Sequence, residues 1–215
     1  MSYLNVNLTS QQSPSMFGLS CSIDDSQTVL IPMPWDATCS FKTGTALAPW
    51  RIRAYSNQLD LYHPDFPEFW KTGIFLLDEN PALRKHNQRA RSLCQQHIQM
   101  LDATPSSSGS SRDLDTIHKA SQFMTDFGFE ETLYWCNQGK NVGIIGGDHS
   151  VSLGGIRAHQ SRGGAFSILH IDAHLDLRPA YQGFTHSHAS VMYNALLEND
   201  LTSLVSVGIR DVCDS

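Results

Sequence analysis

The stretch Phe166 to Arg178, "FSILHIDAHLDLR", begins as an apolar run and ends with His170, Asp172, His174 and Asp176 on alternate residues. Ionised carboxylates at the end of a buried strand are costly unless a cation neutralises them. A second cluster, "GGDHS" at Gly146 to Ser150, closes another apolar run, "NVGIIGG". Side chains two residues apart on an extended segment point the same way, so Asp172, His174 and Asp176 are expected on one side of the chain. Mixed carboxylate and imidazole donors suit divalent manganese, iron, nickel or zinc, and such an ion would offset the repulsion between Asp172 and Asp176. The candidate metal ligands are therefore His149, Asp172, His174 and Asp176. Each motif alone has an ordinary reading, a structural histidine at a strand end or a D-x-H-x-D surface turn. Together, each after its own apolar strand, they point to a metal. His170 is expected within the sheet as a core residue or a support to the ligands, and Asp148 to orient His149 rather than bind. His63, His86, His97, His118 and His159 are expected to be solvated on helices or loops.

The elements that must position these groups follow from periodicity. The apolar runs "NVGIIGG", "AFSILHID" and "LVSVGIRD" alternate with the helical patterns "HSVSLGGIRAHQ" and "SVMYNALLEND". This alternation is the mark of βαβ units around a buried parallel sheet. Functional groups in such sheets gather beyond the carboxyl ends of the strands, where both His/Asp clusters fall. Upstream, "TVLIPMPWD" reads as a strand that breaks at Pro32 and Pro34. Helical spacing predicts one helix over "WRIRAYSNQLDLY", with apolar positions 52, 55, 59 and 62, and an amphipathic one from Pro81 to Ala103, with apolar positions 83, 90, 93/94, 97/98 and 101. "TPSSSGSSRD" reads as an exposed loop, Asp113 as the cap of the next helix and Gly139 as its stop.

Composition sets the bounds. A chain of 215 residues, 40% hydrophobic and 17% charged, predicts one α/β domain at 29–215 after a polar leader at 1–28. A net charge of -6 argues against nucleic-acid binding, which needs a concentrated basic face. Small molecules or proteins are the expected partners. Five cysteines without a C-x-x-C indicate neither a disulfide framework nor a zinc knuckle. The leader has no basic or apolar signal region and no apolar run reaches membrane-spanning length, so the expected setting is the cytoplasm.

"GGDHS" followed by "HIDAHLD" closely resembles the ureohydrolase family of arginase, agmatinase, guanidinobutyrase, guanidinase and formimidoylglutamase. "PWDATCSFKTGTALAPWRIR" is similar to the agmatinase-type segment P-x-D-x-x-x-S-x-x-x-G-x-x-x-x-P-x-x-I-R, and "SVGIRD" to the family's "IGIRD" strand. The resemblance implies a three-layer α-β-α fold with a mainly parallel sheet, arginase/deacetylase-like. It also implies two divalent ions, manganese first and nickel second, and hydrolysis of a guanidino substrate to urea. His149, Asp172 and Asp176 would hold one ion; His174 and the bridging Asp172 would hold the other. His188 in "THSHASVMY" matches the family's proton relay, with Ala189 in place of a glycine and His186 as a competitor. Relatives of this fold form trimers or hexamers, so a homo-oligomer is expected.

Two departures qualify the resemblance. The family's D-x-D, on a later strand, is absent, and Asp211 and Asp214 lack the spacing to replace it, so four of the usual six ligands remain. The chain then reads as part of a longer protein whose sheet lacks its C-terminal units, or as a truncated, non-catalytic homologue. A mononuclear module built on His149, Asp172 and Asp176 is a third reading. The loop "LRPAYQGFTH", with Arg178 and Phe184, does not suit the amino-acid head of arginine. A guanidine, agmatine or similar substrate ranks first. Formimidoylglutamate ranks second, because Arg178 could pair with a carboxylate or else be structural.

Overall fold

The computed structural model describes residues 16–19, 21–103, 110–197 and 201–212. Most of the polar leader, part of the Ser/Gly loop and Asp214 lie outside the described residues. In chain order the elements are β1 (Thr28–Met33), α1 (Ala48–Tyr55), β2 (Ile74–Leu76), α2 (Pro81–Ala103), α3 (Ser111–Asn137), β3 (Asn141–Gly146), α4 (Ser152–Ser161), β4 (Phe166–Ile171), α5 (Val191–Leu196) and β5 (Leu201–Val207). All ladders between them are parallel, in the order β2-β1-β3 and, as a second ladder, β4-β5. The three-layer α/β architecture implied by the resemblance is present, with the parallel strands in two ladders among the described residues rather than one sheet.

β1 differs from expectation because it runs through Pro32. Leu30 carbonyl accepts from Leu77 N, whereas Met33 carbonyl accepts from Gly147 N, so alternate residues of β1 face β2 and β3. Pro32, in phase with Leu30, turns its missing N–H toward the β2 side, and β2 has already ended at Leu76. No ladder bond is lost, which is the condition for a proline in a strand. β2 itself, in "GIFLLDEN", has no counterpart in the sequence reading.

The helix predicted over 50–62 is shorter and differently placed. α1 starts at Ala48 with a proline in its first turn and ends at Tyr55, and its supposed apolar stripe is exposed: Ile52 45%, Tyr55 60%, Leu59 61% and Tyr62 73%. α2 has the expected bounds and buries Leu83, Asn87, Ala90, Cys94 and His97. The cap of α3 is Ser110, whose hydroxyl accepts from Asp113 N, rather than Asp113. Gly139 stops the chain after α3 with φ 77.

The main core gathers Ile31, Met33, Trp35, Leu83, Ala90, Met124 and Val151 from β1 and the loop after it, α2, α3 and the turn before α4. α4 lies directly on α3 because both present glycine: a Cβ on Gly154 would stand 2.4 Å from Thr125 O. On β4 and β5, by contrast, Leu169, Ile171, Val205 and Val207 are exposed.

Candidate metal centre

The centre is assembled where the carboxyl ends of β3 and β4 meet the loop after β1. Gly147 N donates to Met33 O at 3.1 Å and Asp148 N to Trp35 O at 2.8 Å. Only glycine permits this approach, since a Cβ on Gly147 would fall 1.5 Å from Trp35 O. The Asp148 carboxylate accepts from Ser150 N at 3.0 Å and from the Ser150 hydroxyl. It thereby caps the short helical turn His149–Val151; its hydrogen bonds go to Ser150 and the Cys39 thiol rather than to the His149 ring. Burial drives the Asp148 carboxyl above its usual range, against the opposing pull of the Ser150 hydrogen bonds and the His188 charge. The Cys39 thiol, 3.6 Å from Asp148 Oδ2, is pushed to about 12 by burial and that carboxylate.

His149 Nδ1 lies 2.7 Å from Asp176 Oδ2 and 3.3 Å from Asp172 Oδ2. Burial pulls its pKa down, but the hydrogen bond to Asp176 and the charges of Asp176, Asp172 and Asp148 outweigh burial, and the net shift is upward. Asp172 is held low: burial raises it, and the hydrogen bond from His174 N, the His149 charge and the Ala173 N–H overcome that.

The alternation expected along 170–176 holds only as far as Asp172. β4 ends at Ile171, and Asp172 Oδ1 accepts from His174 N at 3.0 Å, an Asx turn that takes the chain out of the extended state. His174 consequently points outward, with its side chain 59% exposed, Nδ1 3.6 Å from Asp172 Oδ1 and Nε2 3.4 Å from Asp211 Oδ2. Asp176 returns to the centre through a left-handed backbone, φ 53. Its carbonyl is fixed by Met192 N and Tyr193 N of α5, both at 3.1 Å.

The structure therefore brings together His149, Asp172 and Asp176 and adds His170; one donor atom from each of these side chains lies within 4.8 Å of all the others. His174 stands on the far side of Asp172. His170 is buried on β4, its Nδ1 is 3.1 Å from Ser206 Oγ, and its ring stacks on His149 at 5.4 Å. Its Nε2, 3.6 Å from Asp172 Oδ2, is buried with no hydrogen-bond partner among the described residues. Alternation with Asp172 was the signal for this donor, since residues i and i+2 of a strand share a face.

The two relay candidates separate. His188 sits edge-on to Tyr181 at 5.7 Å, with Nδ1 buried and unpartnered among the described residues, and its charge acts on Asp148. His186 contacts Thr185 Oγ1 at 3.3 Å and is depressed by burial, then by Arg157 and His118. Arg178 donates its N–H to Ala189 O and lays its guanidinium 5.2 Å from the Tyr181 ring centre.

Of the histidines expected to be solvated, one is buried, and two half-exposed ones have partners. His97 is 4% exposed and bonds Gln182 O at 3.0 Å. His118 bonds Gly183 O at 3.0 Å, and His86 stacks on Phe123 at 4.3 Å. His97 was legible as core, because it falls on the stripe of Leu83, Ala90 and Cys94.

A model of the arginase family matches residues 26–215. The chain belongs to the arginase family. Among curated members, an N(1)-aminopropylagmatine ureohydrolase of Thermus thermophilus is 31% identical over 187 residues, covering 87% of this chain and 52% of that protein. The mitochondrial arginase of Medicago truncatula is 43% identical over 70 residues, 32% of this chain and 21% of that protein. Among solved arginase-family folds, the agmatine ureohydrolase of Thermoplasma volcanium superposes with TM-score 0.66 at 22% identity, over 93% of this chain and 56% of that one. The chain spans about half the length of the N(1)-aminopropylagmatine ureohydrolases it matches.

Proposed function

We propose that this chain supplies the His/Asp part of a binuclear centre that hydrolyses a guanidino compound to urea and an amine. The observation that carries the reading is the division of Asp172: Oδ2 faces His149 and His170, while Oδ1 faces His174. One carboxylate between two sets of imidazoles suits a bridging ligand for two divalent ions, manganese first and nickel second. His170 Nε2 supports the fit. In the tautomer that donates Nδ1–H to Ser206 Oγ, its lone pair faces the Asp172 carboxylate, an unfavourable contact that a cation reverses. His149, Asp172 and Asp176 would hold one ion, with His170 able to join or support them, and Asp172 with His174 the other.

When bound, such ions supply a hydroxide-strength nucleophile near neutral pH. The side chains of this chain do the rest. Asp148 caps the turn that carries His149, Asp176 holds the Nδ1 side of that ring, and His188 carries a proton toward the departing amine. His188 is preferred to His186 because it shares the environment of Asp148. The kinship with the N(1)-aminopropylagmatine ureohydrolases supports an agmatine-like substrate. Arg178 on Tyr181 favours a second reading, a formimidoylglutamase-like hydrolase whose substrate carries a carboxylate. A homo-oligomer in the cytoplasm, trimer or hexamer, is the proposed setting, and the exposed Phe41, Tyr62 and Phe66 support self-association.

Metal content of the purified chain, measured with urea release from agmatine, N(1)-aminopropylagmatine, 4-guanidinobutyrate and guanidine, tests the reading. Two ions per chain with urea from one of these compounds is expected. One ion per chain, or no ion and no urea, overturns it in favour of a mononuclear module or a non-catalytic homologue.

A further inference from the structure

The loop between Asp176 and α5 contains a two-residue hairpin. Tyr181 N donates to Phe184 O at 3.1 Å and Phe184 N to Tyr181 O at 2.9 Å, with Gln182 at φ 52 and Gly183 at φ 84 between them. These left-handed values are those of a type I′ turn. The carbonyls of the two turn residues have no ladder partner, and at a hairpin tip they ordinarily face water. Here they face two helices. Gln182 O is bound by His97 Nε2 of α2 and Gly183 O by His118 Nε2 of α3, each at 3.0 Å. A carbonyl oxygen only accepts, so each histidine carries its proton on Nε2.

Packing reinforces the clamp. Phe184 is fully buried with Cys94 and Ile117, which belong to the same two helices, and its ring lies 5.3 Å from that of His97. The opposite end of the loop is held at the metal centre, through Asp176 O on α5 and Arg178 N on Ala189 O. Between the two anchors Tyr181 meets Arg178 on its face and His188 at its edge. Whatever holds the hairpin tip therefore holds Tyr181, and with it Arg178 and His188.

We propose that His97 and His118 are positioning residues that clamp the 181–184 hairpin, and that this clamp sets which guanidino compounds the centre accepts. The inference rests on the proposed hydrolase reading for the identity of the ligand, whereas the clamp itself rests on hydrogen bonds.

The test uses His118→Leu, which removes the donor at a half-buried position, and His118→Gln, whose amide restores an N–H, with the same pair at His97. Two quantities are read on the whole manganese-loaded chain: amide exchange at Tyr181 and Phe184, and the ratio of Kd values for agmatine and 4-guanidinobutyrate. The leucine variants should speed exchange about five- to tenfold, the factor set by one lost hydrogen bond, and change the Kd ratio by a similar factor. The glutamine variants should restore both. Unchanged exchange and ratio in His118→Leu, glutamine variants no better than leucine, or no binding of either compound overturns the proposal. Should His97→Leu fail to fold, the His118 pair decides. Should the wild type bind these compounds without releasing urea, the hydrolase reading fails while the exchange and the Kd ratio still judge the clamp.

Discussion

Asp176→Asn separates charge from shape at the centre. The substitution keeps the size of the side chain, and asparagine tolerates the left-handed backbone at φ 53 as well as aspartate does. The negative partner of His149 Nδ1 is lost at a side chain only 7% exposed. A hydrogen bond to a charged group contributes about 1.5–3 kcal/mol, which is the expected destabilisation of the metal-free chain when His149 is protonated. The pH dependence has a definite sign. His149 is raised above its ordinary 6.5 in the folded chain, so its contribution is fully present below that value and fades as pH rises through the higher folded value. The difference between wild type and Asp176→Asn should thus be large in chelator at pH 6 and smaller at pH 9, measured by urea unfolding. Added manganese should reverse the ranking with pH, because ions compete with the His149 proton. At a concentration 100 times its Kd the ion should stabilise the wild type by about 2.7 kcal/mol, and the variant by clearly less. If Asp176→Asn gains as much from manganese as the wild type and has the same pH profile, the carboxylate is not part of an ion site and the assignment of the centre fails.

Two further outcomes are expected. Asp172→Asn should lower the metal content for both ions together, whereas His174→Ala should lower it for one, since only Asp172 faces both sets of imidazoles; equal losses, read by elemental analysis after dialysis, would remove the bridging argument. Gly147→Ala should unfold the chain or cost more than about 4 kcal/mol, because its Cβ would meet Trp35 O at 1.5 Å, while Gly139→Ala, with nothing within 4 Å of the added carbon, should cost only the backbone term of about 1–2 kcal/mol; similar urea midpoints for the two would refute the account of how β3 is joined to the loop after β1.

Much of this architecture was legible in the sequence because parallel strands that alternate with helices read as continuous apolar runs: those expected at 141–147 and 165–172 became β3 and β4, whereas the third, expected at 204–211, became a strand that starts three residues earlier, β5 at Leu201–Val207. β2 escaped because three residues form no recognisable run. The stripe of 52, 55, 59 and 62 misled because helical spacing reports a face without reporting what covers it, and here those residues are exposed. Pro32 was read by its lost N–H alone, and the side of the strand on which the loss falls is a property of the partner strands.

At the site, residue types and strand ends pointed to His149, Asp172 and Asp176, which the fold brings together, but the rule of alternation outlived the strand by one step too many. A carboxylate that must neutralise a cation also captures the nearest backbone N–H, and when Asp172 takes that of His174 it ends the extended geometry on which the rule depends. His174 is turned to the other side of Asp172 for that reason, and His170, still within β4, keeps the first side. A single carboxylate with imidazoles on both sides follows from one Asx turn. Sequence supplies the residue types, and the turn sets which oxygen of Asp172 each imidazole faces. The histidines of α2 and α3 show the complementary limit: polar side chains on a buried helical face have partners, but an acceptor 85 residues away, as Gln182 O is from His97, is visible only once the loop has been folded onto the helix.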